Sequence, residues 1–504
     1  MDTLTIYAIT VGALLLLLIT HRLLNMASHW RDAFRAFFCR HMVYPCVISR
    51  HYFFGPWSRI VVCFYLVYMT LNSVVLFYNS HTISLESVGR RAGSLSIVNM
   101  IFPLLAGHLS HSADLLGLSL TLYRKIHRAS GWMAIGLVIL HAGALYSDMK
   151  ISSSVSDGDK LFVIIAAGCL GALGLTALPL VRRISFEIFI RVHQGLTIVC
   201  VYGIWRHIPK DSLLPELYIL IGVSLFATTS STYLIKLLYR NGIFSGNGCP
   251  RAILSSSNCD LVKDREKAGA LFNIRLLLPR PVTVKAGQYI NLWLPSATMG
   301  SWMQTHPFTI ISWSQKPQSS IELLIQPRKG LTATLAHQVQ NAGPRGYSCL
   351  AVYSGPHGLS EPVESYETVL LVANEAGLSA VLPYAKKLIH GYNTCTSHVR
   401  RVHLLWQMMT YWITATISIY VGEGAKLRDI PFGRHERAFL YQGVPDYSSI
   451  ISGEVSGENI DKTSRIRDTQ GKLLIMGQVR DRLRNIIRGH LDQDIRMAEL
   501  EYQL

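Results

Sequence analysis

Four histidines sit in two apolar stretches at one common spacing: His127 and His141 in the first, His193 and His207 in the second. Fourteen residues of helix make nearly four turns, so each pair shares one helix face, its members about 21 Å apart along the axis. Two such helices side by side would offer two stacked pairs of imidazoles at two depths. His127 with His193, and His141 with His207, is the arrangement that holds two bis-histidine b-type haems. A single histidine in a membrane helix is more often a partnered polar residue than a ligand, although ionisable groups at that depth are costly and usually functional. Two independent pairs at one spacing weigh towards haem. Stacked redox centres across a bilayer move electrons from one side to the other. Gly131, Gly136, Gly143 and Gly195 lie in or beside the same stretches. They serve either close helix packing or room for a porphyrin, and the sequence leaves both open.

The elements that must position these histidines are membrane spans. Half of the 504 residues are apolar, and long uncharged runs are concentrated in the first 240. A span needs roughly 20 apolar residues. Seven are expected, at about 5–20, 60–78, 95–109, 127–146, 161–181, 187–206 and 216–238. The first has no basic segment before it and no small-residue cleavage site after it, so it reads as a retained anchor rather than a signal peptide. The third is the weakest, because Pro103 interrupts it. Arg22, Arg31, Arg35, Arg40, Arg50, Arg59, Arg124, Lys125, Arg182, Arg183, Lys236 and Arg240 all fall on one side of this arrangement. The other side has fewer cations, diluted by Glu86, Asp148, Asp157, Asp159 and Asp211. The positive-inside rule therefore puts the N-terminus outside and residues 240–504 in the cytosol. His127 and His193 then lie near the cytosol, and His141 and His207 near the outer face.

A net charge of +17 raises the question of nucleic acid, but no zinc spacing or RNA-binding motif accompanies it. Basic residues flanking spans, and a cytosolic face meeting anionic lipid and phosphate-bearing cofactors, account for it. Nine scattered cysteines with no CxxC exclude a disulfide scaffold and an iron–sulfur cluster. From about residue 250 the pattern changes to short β-like runs, at 271–278, 288–294, 308–313 and 321–326, which suggest a small antiparallel barrel. Further strands at 368–373, 401–406, 416–421 and 472–476, with helices at 377–390 and 478–489, suggest an open parallel sheet. Such a sheet binds a nucleotide at the C-terminal edge of its strands.

Four short motifs carry a resemblance. Lys285-Ala-Gly-Gln-Tyr289, His306-Pro307-Phe308-Thr309, Gly330-Leu-Thr332 and Gly355-Pro-His-Gly358 occur in this order after the histidine core. Together they resemble the flavin domain of fungal ferric-chelate reductases and NADPH oxidases, the flavocytochrome b superfamily. The ending Glu499-Leu-Glu-Tyr-Gln503 is similar to the reductase branch. The resemblance implies a multi-domain membrane protein: a seven-helix transmembrane haem-binding bundle, a ferredoxin-reductase-like flavin barrel and an α/β nucleotide-binding domain. The expected boundaries are 1–59 for an anchor and basic cytosolic loop, 60–240 for the haem domain, 247–360 for the FAD barrel and 366–504 for the NAD(P)-binding domain.

It also implies roles. His306, Pro307, Phe308, Thr309, Arg328, Gly330 and Thr332 would hold FAD, and Gly355, His357, Gly358, Asn374 and Gly377 would meet NADPH. A flavin takes a hydride pair and releases single electrons, which a haem accepts one at a time. The implied activity is NADPH-dependent reduction of an external ferric or cupric chelate or siderophore, supporting iron uptake at the plasma membrane. An iron-uptake permease or oxidase is the candidate protein partner. Two alternatives stand beside it: a superoxide-producing NADPH oxidase, and a catalytically degraded haem-binding paralogue. Three departures from the family pattern bear on the last. Gln326 stands where relatives usually carry an arginine, Glu375 sits in a loop that is glycine-rich in relatives, and the crossover at 407–416 is short.

Overall fold

The computed structural model describes residues 28–49, 55–78, 84–147, 157–209, 212–243, 248–256, 271–297, 301–328, 330–343, 346–408, 417–421, 430–432, 438–442, 444–456, 471–477, 481–492 and 494–500. The expected first span at 5–20 lies outside them, as does most of the crossover after residue 408. The chain divides into two units, one of residues 1–28 and 46–235, the other of residues 29–45 and 236–504.

The first unit begins with a small hairpin of β1 (Cys46–Ile48) and β2 (Trp57–Ser58). Helices α2 (Arg59–Phe77), α3 (Leu85–Leu105), α4 (Leu109–Leu116), α5 (Leu120–Ser147), α6 (Asp157–Thr176), α7 (Pro179–Ile184), α8 (Phe186–His207) and α9 (Leu213–Arg240) follow. Helix α1 (Ser28–Phe38) precedes them and is largely part of the second unit. Among the described residues, five helical stretches are long and apolar enough to cross a membrane, with 161–176 a shorter apolar helix. Leu66, Val67 and Met69 of α2 are each more than half exposed. An apolar helix with bare leucines is stable only where its surroundings are apolar too.

The weak third span is corrected. It runs from Leu85 to Leu116 as α3, a 3-10 turn at Ala106–His108 and α4, the longest of the five. Residues 85–94, expected as an outer loop, are helical. Ser84 caps the helix by accepting from Ser87 N, Arg90 pairs with Glu86 one turn away, and Arg91 Nη1 donates to Tyr78 O at 2.7 Å, satisfying the carboxyl end of α2. Glu86 and Arg90 thus neutralise each other, and Arg91 is held by backbone carbonyls. Inside the unit, Asn99 Nδ2 donates to Asn72 Oδ1 at 2.8 Å, and the Tyr68 hydroxyl bonds Asn99 Oδ1. Such buried interhelical bonds typically contribute about 0.6 kcal/mol each.

In the second unit, β3 (Arg251–Ser256), β4 (Phe272–Val282), β5 (Tyr289–Trp293), β6 (His306–Thr309), β7 (Gln318–Ile325), β8 (Tyr347–Leu350) and β9 (Val352–His357) form two antiparallel sheets of orders β7-β4-β3-β8 and β6-β5-β9. A bridge between Ile310 and Leu323 links them. Their shared core includes Leu254, Ile274, Ile290, Leu292, Ile321 and Leu323, all at most 1% exposed. Strand β4 alternates buried and open positions along its first half, the period-2 pattern of a half-buried strand. Helix α10 (Leu331–Ala342) buries Leu331, Leu335 and Val339 against this core.

A seven-stranded sheet completes the unit. Its strands are β10 (Thr368–Asn374), β11 (Arg401–Met408), β12 (Ile417–Val421), β13 (Ile430–Phe432), β14 (Ala438–Gln442), β15 (Leu473–Gly477) and β16 (Ile495–Glu499), in the order β13-β14-β12-β11-β10-β15-β16. All pairs are parallel except β13–β14. Helix α11 (Leu378–Asn393) packs on one side of β10 through Val381, Tyr384 and Leu388. Helices α12 (Tyr447–Ser456) and α13 (Asp481–His490) supply Ile451, Leu483 and Ile487 to the opposite core. Central β10 is buried on both faces, as a continuous apolar run in a parallel sheet requires.

Two further features complete this sheet. Tyr44, from the segment before the membrane helices, packs against the second core and donates its hydroxyl to Met497 O at 2.8 Å. Glu454 of α12 is buried and receives Arg401 Nη2 at 2.6 Å, with His403 Nδ1 at 2.8 Å. Burial alone would raise its carboxyl pKa. The His403 and Arg401 hydrogen bonds and charges outweigh that and hold it at about 2.

Candidate redox site

Helices α5 and α8 run side by side in the same direction, because both ends of the histidine pattern meet. The ring centroids of His127 and His193 are 6.2 Å apart, and those of His141 and His207 are 6.3 Å apart. A metal–imidazole bond is roughly 2 Å long and the ring centre lies roughly 1 Å behind its nitrogen, so two rings sharing one iron have centroids about 6 Å apart. Both pairs fit a haem iron on this measure.

Hydrogen bonding supports the fit. His141 Nδ1 lies 2.8 Å from Gly89 O. A carbonyl only accepts, so Nδ1 carries the proton and Nε2 keeps the lone pair that a metal needs. His127 Nδ1 and His193 Nδ1 are buried with no hydrogen-bond partner among the described residues. Glycines resolve into two groups. Those at 131, 136, 143 and 195 border open space, so close helix packing does not explain them. Gly131 is one turn from His127 and on its face. Gly89 and Gly93 of α3 do pack tightly, as a Cβ on Gly93 would stand 2.8 Å from His141 Nδ1. Sequence reasoning missed this pair, although the Gly-x3-Gly spacing was a readable signal.

In the flavin region, His306–Thr309 is itself strand β6, with Tyr289 opposite Thr309 and Ile290 opposite Phe308. Phe308 and Thr309 are buried, His306 and Pro307 half-buried. Gly330 has φ 80°, with open space where a Cβ would point, and it caps α10. Arg328 N donates to the Thr332 hydroxyl at 2.8 Å and fixes that cap. The first amides of a helix have no acceptor within it, so residues 330–332 suit a phosphate.

Gly355 and Gly358 have φ of 120° and 97° and fold the end of β9 closely over Tyr289. His357 is turned inward: it is 5% exposed, with Nε2 3.1 Å from Ser354 Oγ. Its side chain therefore faces the barrel rather than solvent. At the C-terminal edge of the parallel sheet, Asn374 ends β10 opposite Gln407, and Val372 pairs with Gly477. Gly477 has φ 154°, and any Cβ there would strike Val372 O. Strand order reverses at β10, so this edge is a topological switch point, the place at which open parallel sheets in general receive ligands. Gly377, expected to meet NADPH, has φ −60°, an ordinary helical value. The left-handed position is taken by Glu375, at φ 47°. Trp406 Nε1 donates to Glu375 O at 3.0 Å, and Gln326 Nε2 to Glu375 Oε2 at 3.4 Å. Trp406, Gln407 and Gly477 were not legible as site residues.

Residues 92–204 match the family model described as ferric reductase like transmembrane component, and residues 265–368 match an FAD-binding domain. The membrane domain is of the ferric reductase type. The first match contains His127, His141 and His193 and ends three residues before His207, and the second contains β6, Gly330 and the 355–358 turn. Both end before Asn374 and Gly377. Ferric/cupric reductase transmembrane component 2 of Saccharomyces cerevisiae is 25% identical over 309 residues, covering 60% of this chain and 40% of its own. Ferric reductase transmembrane component 3 of the same yeast is 25% identical over 344 residues, covering 64% and 45%. The chain thus spans less than half the length of these two relatives. Among solved structures, a flavohemoglobin from Malassezia yamatoensis aligns over 83% of this chain and 99% of its own at 13% identity, with a TM-score of 0.36.

Proposed function

We propose that the chain is a transmembrane metalloreductase that carries electrons from cytosolic NADPH, through FAD and two b haems, to an external ferric or cupric chelate. The observation that carries this reading is the meeting of both histidine pairs at the separation that one iron between two imidazoles requires. The bound cofactors would supply the conversion of a hydride pair into single electrons and their passage one at a time.

The chain's own residues supply the holding. His127 and His193 would bind the iron nearer the cytosol, and His141 and His207 the outer one. Gly89 O sets the tautomer of His141, and the open space at Gly131 and Gly195 accommodates the macrocycle. Phe308 and Thr309 would line the flavin, with Gly330–Thr332 receiving its pyrophosphate. Gly355, Gly358 and the C-terminal edge of β10 would receive the nicotinamide nucleotide. The basic residues at 31–59, 124–125, 182–183 and 236–240 support a cytosolic C-terminal half. The plasma membrane is the site that fits an external chelate.

The test is a difference spectrum of the purified chain. Dithionite-reduced minus oxidised spectra should show two b-type haems, and NADPH with FAD should reproduce the spectrum. Membranes should then reduce a ferric chelate without sensitivity to superoxide dismutase. A spectrum without haem refutes the reading, and full dismutase sensitivity moves the acceptor to oxygen.

A further inference from the structure

Gln326 and Glu375 each depart from the family pattern, and the structure brings the two together. Gln326 follows the last residue of β7 in the barrel, whereas Glu375 follows the last residue of β10 in the parallel sheet. Their side chains meet at 3.4 Å, the amide donating to the carboxylate. Lys386, Lys387 and Arg400 are engaged elsewhere. Lys386 Nζ donates to Ile311 O at 3.0 Å, Lys387 pairs with Glu364, and Arg400 pairs with Glu367 at 3.1 Å. From the other side the Trp406 indole holds Glu375 O. Glu375 is also one of two non-glycine residues with positive φ among the described residues, a conformation that persists only when surrounding contacts enforce it. The loop is therefore fastened by its side chain to the barrel and by its carbonyl to β11.

We propose that the Gln326–Glu375 contact is a latch that holds the nucleotide loop shut in the empty protein, and that the pyrophosphate of a nicotinamide nucleotide displaces it. This rests on the reading that such a nucleotide binds at the end of β10. A carboxylate and a pyrophosphate are both anions seeking the same donors at this edge, so they compete. The Gln326 amide serves Glu375 when the latch is shut and is freed when it opens. A protein that is mostly latched binds with an apparent Kd raised by the inverse of its open fraction. Glu375 then acts as a selector that makes turnover depend on nucleotide concentration, rather than as damage to the site.

The test uses the full chain in detergent, with haem and FAD content checked first in every variant. NADPH affinity is measured by equilibrium titration for wild type, Gln326→Leu, Glu375→Gly and the double variant, and backbone exchange at 374–377 is followed without nucleotide. The latch predicts that Gln326→Leu alone tightens NADPH about three- to tenfold, although it removes only a neutral amide. It predicts no further gain in the double variant beyond Glu375→Gly, and faster exchange in Gln326→Leu. If Glu375 acts by charge repulsion alone, Glu375→Gly tightens binding, Gln326→Leu does not, and the latch is overturned. Unchanged exchange in Gln326→Leu overturns it whatever NADPH does. Accelerated exchange with no saturable NADPH binding in any of the four proteins removes the nucleotide reading, and with it the displacement step.

Discussion

Replacing Gly93 should cost the outer haem and spare the inner one. An alanine Cβ at this position would stand 2.8 Å from His141 Nδ1 and 3.0 Å from its Cε1. Ordinary contact begins near 3.4 Å, so the ring must retreat by about 0.6 Å or turn. Either movement stretches the 2.8 Å bond to Gly89 O, which sets the tautomer. Loss of such a supporting hydrogen bond typically lowers metal affinity about 10- to 100-fold. Gly93→Ala should therefore release one haem on dilution. Gly93→Leu, whose side chain fills the space of the ring, should purify with about half the haem of wild type. The assay is the haem-to-protein ratio, with the reduced spectrum used to tell which haem remains. Gly171→Ala on α6 is the control, because nothing lies within 4 Å of the added carbon, and it should keep both haems. Wild-type haem content in Gly93→Leu would refute the argument.

Other outcomes follow from the same structure. His141→Leu or His207→Leu should remove the outer haem and leave the inner one in the spectrum; both haems intact in either variant would break the assigned pairing. Glu454 has a folded pKa of about 2 against an ordinary 4.5, so its stabilisation is complete above pH 4.5 and fades as pH falls towards 2. That shift corresponds to about 3 kcal/mol at neutral pH. Glu454→Gln should lower the melting temperature at pH 7 much more than at pH 3, and an equal loss at both would refute the linkage. Gln326→Arg alone should leave FAD affinity nearly unchanged, because Glu375 would capture the guanidinium. Only the Gln326→Arg, Glu375→Gly pair should tighten FAD, as read by flavin fluorescence. A single-cysteine chain retaining exposed Cys395 should react with a membrane-impermeant maleimide only after cells are permeabilised. Labelling of intact cells would invert the orientation.

The sequence revealed most where the signal is local. Apolar runs located the helices, and an exact repeat of spacing located the four histidines. Short β-like runs located four of the seven strands of the antiparallel sheets, one of them displaced, since that strand is His306–Thr309 rather than 308–313. The third span was misplaced because Glu86, Arg90 and Arg91 depress its hydropathy, and their pairing with one another and with the end of α2 is a tertiary fact. Gly377 takes an ordinary helical backbone while Glu375 takes the left-handed one, a position at which a sequence alone would lead one to expect glycine. The meeting of Gln326 with Glu375, 49 residues apart, has no local signature.

The placement of Tyr44 on the seven-stranded sheet has a consequence for biosynthesis. Residues 29–45 belong to the same unit as residues 236–504, yet they are translated before every described membrane helix. The sheet edge they cover, at Met497, is translated after all of those helices. The basic segment must therefore wait, unfolded or held by a chaperone, while the intervening helices insert. Only then can the C-terminal domain close over Tyr44. A C-terminal fragment beginning near residue 247 would emerge with an empty slot beside Met497 and part of its apolar flank bare. Supplying residues 29–45 in trans, or fusing them ahead of the fragment, should raise its soluble yield.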